Sequence, residues 1–341
     1  MRNKFIAFFL LVAMTFTVKA QDGIPIYSEY FVDNLYVLHP SMAGAADYGK
    51  IRVTARQQWF DQDEAPNVQL LNFNTRLTEN SGVGTILYND SNGYHSQTGG
   101  YLTYAHHILL SNSRVGDLNQ LSFGLSAGLV QTKLDETRFD PRNFDPIIAG
   151  IVQSSSYFNV DVGMSYHVLN FSSHLTVKNV LFSNRSLYSD EFESNNQRNY
   201  LFSAAYFFVP NYGALAFEPS VLFQWKERTG EQLIDINAKA FYNLDFARIW
   251  GGVSYRRSLD GAQYLDGTEI RDQQLQYVTP VVGFNYKKFI FAYTYSYQTG
   301  NIRFDSGGFH QITLGYNIFK GRVNNWSQDM RYNGMLRPRG Y

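Results

Sequence analysis

The chain has no cysteine in its 341 residues. That excludes a disulfide scaffold, a cysteine-ligated zinc site, a cysteine nucleophile and a lipid anchor on an N-terminal cysteine. It also has little charge. Asp, Glu, Lys and Arg make up 17% of the chain, against about 25% in ordinary soluble domains. Neither sign is in excess, with 29 Lys+Arg against 29 Asp+Glu, so the basic surface of a nucleic-acid-binding protein is missing. Proline is sparse at 9 residues. Beyond the N-terminus no apolar run is long enough for a transmembrane helix. Aromatics are abundant instead: 25 Tyr, 27 Phe and 4 Trp.

The N-terminus reads as a secretory signal peptide. Arg2 and Lys4 precede the apolar stretch Phe5 to Val18, and Ala20 is the small residue before a cleavage point. Removing residues 1–20 takes Arg2, Lys4 and Lys19 from the 29 basic residues, leaving 26 against 29 acidic ones. The expected divisions are a signal peptide (1–20), an N-terminal segment (21–48), a barrel (49–320) and a periplasmic tail (321–341).

The rest of the chain has a period of two. Leu121, Phe123, Leu125, Ala127 and Leu129 alternate with Gln120, Ser122, Gly124, Ser126 and Gly128. Phe158, Val160, Val162, Met164, Tyr166 and Val168 alternate with small or polar neighbours, as do Phe289, Phe291, Tyr293, Tyr295 and Tyr297. A helix would scatter these apolar residues around its surface, so the pattern predicts strands. About fourteen are expected, at 49–60, 68–77, 82–89, 96–109, 119–131, 157–168, 172–179, 199–209, 215–226, 232–243, 248–257, 274–286, 289–298 and 309–319. Most are long enough to cross a bilayer at a tilt.

Short connections at one end and long ones at the other predict an all-β transmembrane barrel of about 14 antiparallel strands. Thr78 to Ser81, Leu169 to Phe171 and Lys287-Lys288 are short, whereas 133–156, 180–198, 258–273 and 299–308 are long. In this arrangement aromatics face lipid and small polar residues face the lumen, with Trp59, Phe60, Tyr88, Trp225 and Trp250 as interfacial girdle residues. Pro219 and Pro280 fall inside strands and predict a local bulge at one or both.

Chemistry-bearing motifs are few. His106 and His107 are adjacent on a strand and point to opposite faces, which makes a poor metal pair. Gly82-x-Gly84 lacks the helix of a phosphate cradle. Asp135, Asp140 and Asp145 do not have the spacing of a calcium loop and read as a solvated acidic loop. No G-x-S-x-G elbow is present. No catalytic residue, cofactor or metal site is expected. The loop carrying Phe139, Asp140, Arg142 and Phe144 is the candidate partner-binding loop, because Arg and aromatics are common anchors. A lid over the lumen reads equally well there.

Two terminal segments carry a family resemblance. Tyr27-Ser28-Glu29-Tyr30 and Leu38-His39-Pro40-Ser41-Met42-Ala43-Gly44 precede Arg56-Gln57-Gln58-Trp59, and Gly307-Gly308-Phe309-His310-Gln311-Ile312 opens the last strand. With Val177-Lys178-Asn179-Val180, these resemble the PorP/SprF family of type IX secretion system membrane proteins from Bacteroidetes. The matching motif residues are Tyr30, Pro40, Ala43, Gly44, Arg56, Trp59, Asn179, Gly308 and His310. His39 stands where the family has Asn, Ser41-Met42 where it has Ala and an aromatic, and Gln311 where it has Glu.

The resemblance implies a non-enzymatic outer-membrane barrel. It would help a large adhesin, including those of gliding motility, or another cargo reach the cell surface through the cargo's C-terminal domain. Outer-membrane lipid and other secretion components are the further partners implied. Pro40 and Gly44 are expected to fix a compact turn ahead of the first strand. The competing reading is an outer-membrane channel for a hydrophobic or small solute, like a fatty-acid transporter, plugged by residues 21–48 and holding an apolar pocket.

Overall fold

The structure is a computed structural model that describes residues 27, 34–46, 48–58, 65–110, 119–139, 150–183, 195–210, 214–266, 269–299 and 308–320. Its strands are β1 (Tyr48–Gln58), β2 (Asn67–Arg76), β3 (Ser81–Asn92), β4 (His95–Leu109), β5 (Asn119–Asp135), β6 (Val152–Val168), β7 (Phe171–Lys178) and β8 (Asn199–Tyr206). They continue as β9 (Leu215–Lys226), β10 (Gln232–Asn243), β11 (Ala247–Ser258), β12 (Ala262–Asp266), β13 (Glu269–Gln273), β14 (Gln276–Tyr286), β15 (Phe289–Thr299) and β16 (Phe309–Lys320). Fourteen of them close into one antiparallel barrel, with β1 hydrogen-bonded to both β2 and β16. Closure leaves no edge strand, so the ladders satisfy the backbone groups without water. β12 and β13 form a separate hairpin inside the connection that the sequence reading treats as loop.

The two faces have the inverted character of a membrane barrel. Leu102, Tyr104, Phe123, Leu125, Leu129, Phe158, Ile236, Val282 and Leu314 are exposed on the outer face. Asn72, Ser122, Ser165, Ser203, Asn237, Ser254 and Thr313 are buried on the inner one. A barrel in lipid needs this sidedness, since polar groups on its outside would lack partners. The short turns after β2, β6, β10 and β14 share a rim with the start of β1 and the end of β16, as does the longer connection 110–118, and the other rim carries the long connections together with the short turns after β3 and β9.

Two sequence expectations change. No bulge forms at either proline. At Pro280 the β14–β15 pairing lapses between Val278↔Tyr297 and Val281↔Thr294 and resumes in the same register. At Pro219 the β8–β9 ladder stops at Ala205↔Ser220 and reappears in register as a bridge between Phe208 and Phe217. A missing N–H removes a rung on one side, while the opposite neighbour still pairs in step, as Ala238 does with Pro219. Tyr88 and Trp250 are not girdle residues: both are buried in the lumen. Each stands across from a glycine of the next strand, Gly99 for Tyr88 and Gly283 for Trp250, which leaves room for the ring. Trp225 is exposed as expected, while Trp59 and Phe60 lie outside the described residues.

Ion pairs inside the lumen brace the wall. Arg256 donates to both carboxylate oxygens of Asp235 at 2.7 and 2.8 Å, and the Asp235 side chain is 1% exposed. Removing one partner of such a pair leaves a buried charge uncompensated. Asp235→Ala should therefore destabilise the barrel by about 3 kcal/mol. Asp235→Asn, which keeps one acceptor, should cost less. Thermal unfolding in detergent, followed by the loss of strand signal in circular dichroism, checks the order.

Candidate functional site: a segment seated inside the barrel

The segment before β1 is not outside the wall. A short helix α1 (Leu35–Leu38) and a 3-10 turn (Pro40–Met42) lie within the lumen, and nearly every residue from Asn34 to Ala46 is buried. The compact turn expected at Pro40 to Gly44 is this turn. Proline stands at its start, where the absent N–H costs nothing, and Gly44 has φ +65 after it. A side chain at Gly44 would also meet the Thr75 carbonyl oxygen at 2.6 Å.

The wall is dented to take the segment. Gly124 and Gly163 face each other across β5 and β6. A Cβ on Gly124 would sit 2.2 Å from the Ser41 nitrogen, and one on Gly163 would sit 3.1 Å from Pro40 Cδ. Gly82 likewise leaves space for Ala43, and Gly84 for the Tyr36 ring. The Gly82-x-Gly84 pair, which lacks the helix of a phosphate cradle, is thus part of a steric seat.

Polar contacts fix the depth and register of the segment. His39 Nδ1 is 2.8 Å from Thr176 Oγ1, and its Nε2 is 2.9 Å from Ser203 Oγ. The ring stacks on His174 at 4.9 Å between centroids. A neutral imidazole has one donor and one acceptor nitrogen, so it bridges two hydroxyls on β7 and β8. Ser41 Oγ lies 2.6 Å from Ser165 Oγ, and Tyr36 donates to Thr103 at 2.8 Å. Lys178 donates to the Val37 carbonyl at 3.0 Å and stands 3.5 Å from Asp161. His107 Nε2 is 3.1 Å from the Ala43 carbonyl oxygen, while adjacent His106 is exposed on the other face.

The sequence-predicted residues divide accordingly. Pro40, Ala43 and Gly44 belong to the plug, and Asn179 supports it indirectly. Asn179 has φ +56, and its N–H donates to Asp161, the carboxylate beside Lys178. Arg56 is on the other half of the lumen, its guanidinium 3.6 Å from the Tyr27 ring centroid and 4.2 Å from that of Phe309. Gly308 and His310 pack against Tyr295, and His310 Nδ1 is 2.8 Å from the Tyr293 hydroxyl. Tyr30, Trp59, Asp140, Arg142 and Phe144 lie outside the described residues. Phe139 ends a 3-10 turn (Glu136–Arg138), and its ring meets Tyr94 edge-on at 4.8 Å. His39, Ser41, Tyr36 and Lys178 contribute most of the seat and carry no motif that marks them as lumen contacts.

The long-connection rim has its own order. Glu227 accepts from the Tyr200 hydroxyl at 2.7 Å and from Asn196 at 3.0 Å, and Arg198 is 3.7 Å away. The bond from Tyr200, followed by that from Asn196, holds the Glu227 carboxyl below the usual carboxylate range. Arg198 also donates to the Val180 carbonyl and lies 4.3 Å from the Phe182 ring centroid. Contacts of this kind hold the base of the 179–198 connection to the β9–β10 turn.

The family model described as type IX secretion system membrane protein PorP/SprF matches residues 19–316. No curated protein matches the chain. Among solved structures, the deltaS2 mutant of the TodX monoaromatic hydrocarbon channel is 9% identical with a TM-score of 0.50, covering 85% of this chain and 94% of that one. The CymD monoaromatic hydrocarbon channel is 10% identical with a TM-score of 0.47, covering 89% and 96%. Omp33 of Acinetobacter baumannii is 5% identical with a TM-score of 0.41, covering 81% and 100%. At such identities the likeness concerns the fold alone.

Proposed function

The chain belongs to the PorP/SprF family of type IX secretion system membrane proteins, and from that premise we propose that it assists the surface export or anchoring of a secreted cargo. The cargo would be an adhesin or another large protein, engaged through its C-terminal domain. The barrel performs no catalysis in this reading. Residues 1–20 direct export and are removed, and residues 321–341 remain on the periplasmic side, where other components of the secretion system are met.

The observation that carries the proposal is the filled lumen. A segment wedged against glycines on β3, β5 and β6, and bonded to β4, β6, β7 and β8, leaves the long connections as the surface available to a partner. Cargo docking is assigned to 132–156, 180–198, 258–273 and 299–308. The channel reading shares the plug but needs an apolar passage. The cavity beside the plug is lined largely by polar and cationic side chains, so that reading is placed second.

Deleting the gene should remove one secreted protein from the cell surface while general secretion continues. Surface proteomics of the deletion strain measures this. Undiminished display of every type IX cargo would sink the proposal, and loss of solute uptake would favour the channel.

A further inference from the structure

The plug fills only one side of the lumen. Toward the short-turn rim, β1, β9, β10, β11 and β14 leave a cavity of about 150 Å³ beside it. Lys50, Arg52, Lys239 and Arg248 line it, and among the described residues Glu218 is the one carboxylate that does. Hydrogen bonds position these groups. Lys239 Nζ is 2.7 Å from Glu218 Oε1, Arg248 Nε donates to Asn243 at 2.7 Å, and Arg52 donates to Asn317 at 3.1 Å.

A second observation comes from the plug itself. Asn34 lines the same cavity, is 5% exposed, and has an amide nitrogen with no hydrogen-bond partner among the described residues. Buried donors of this kind are rare, and each calls for an acceptor. Lysine, arginine and the amide NH2 are all donors, so the chamber is built to receive acceptor atoms carrying negative charge. Its far wall is apolar: Phe241 and Trp250 line it and pack with Phe207 and Val281.

We propose that this chamber is an anion-binding site that takes a carboxylate borne on an apolar or aromatic group, entering from the short-turn rim. The carboxylate meets Arg248, Lys50 and the Asn34 amide, and the apolar part lies along Trp250 and Phe241. The site is at the opposite end of the barrel from the long connections and does not depend on the cargo reading. Two sources supply the chemistry, a peptide with a free C-terminal carboxylate and a free fatty acid.

Trp250 reports on the site. The full chain carrying Trp59→Phe, Trp225→Phe and Trp326→Phe keeps it as the sole tryptophan of the original 4. In non-ionic detergent, iodide should quench it more than caesium does. N-acetyl-Phe-Phe as the free acid, its C-terminal amide and decanoate serve as competitors. Protection by the free acid or by decanoate supports the site and names the source, and the amide should be weaker by about tenfold. Arg248→Gln should weaken protection by about tenfold, whereas Glu218→Gln, which removes the one carboxylate, should strengthen it. Equal protection by acid and amide, or no response to either substitution in folded protein, overturns the proposal.

Discussion

Removing residues 34–46 should convert a sealed barrel into a conducting one. Fourteen strands enclose a lumen wider than that of small barrels whose side chains alone fill the interior. Here the inner face is largely Ser, Thr, Asn and charged residues, which water and ions solvate readily. The seated segment occupies the half of that space nearest the short turns. The full chain in planar bilayers should give no stepwise current, and the deleted chain should give resolved steps. Wall ladders do not run through the segment, so the barrel should persist, and unchanged strand signal in circular dichroism verifies this. Absence of current from folded, deleted protein would show that the lumen is closed by something other than this segment.

Gly124→Val should unseat the same segment without shortening the chain. The new Cβ would fall 2.2 Å from the Ser41 nitrogen and 2.3 Å from the Pro40 carbonyl carbon. Both are backbone atoms of a proline-started turn, so no side-chain rotation relieves the clash. Overpacking of this kind costs about 3 kcal/mol or more when the neighbour is rigid. Leaving the seat also forfeits the Ser41 contact with Ser165 and the two contacts of His39. Protease should then cleave between residues 34 and 46 in folded protein, where the parent resists. Gly251→Val is the control, because its Cβ would meet nothing nearer than the Val281 carbonyl oxygen at 3.4 Å. Equal resistance in the parent and Gly124→Val would refute the steric seat.

The fold was legible because alternation in a membrane barrel is strict. Leu121 to Leu129 and Phe158 to Val168 show one face to lipid at every second residue, and the strands there match the sequence reading closely at their turn-side ends. At the loop-side ends β5 and β6 run on to Asp135 and back to Val152, through mostly polar residues where the apolar alternation fades. The β12–β13 hairpin was missed for the same reason, although the sequence Asp266-Gly267 at the end of β12 is a hairpin signal. Tyr88 and Trp250 were misplaced because their room comes from Gly99 and Gly283, and a cross-strand partner is visible only once register is known. A plug within residues 21–48 was expected in the channel reading, but its seat on the wall was illegible on the same grounds. His39, Gly124 and Ser203 are far apart in sequence and meet only when the barrel closes.

The wall is uneven in height, and this bears on the surrounding bilayer. β5 and β6 have 17 residues each, and β7 and β8 have 8. At about 3.4 Å per residue and a tilt of about 40°, the tall strands rise roughly 44 Å and the low ones roughly 21 Å. The apolar band of an outer-membrane barrel is about 25 Å tall. Lipid beside β7 and β8 should therefore be compressed by hydrophobic mismatch, while lipid beside β5 and β6 is under no such constraint. The protein consequently has a direction in the plane of the membrane, and a neighbour that also thins the bilayer should gather at its low side.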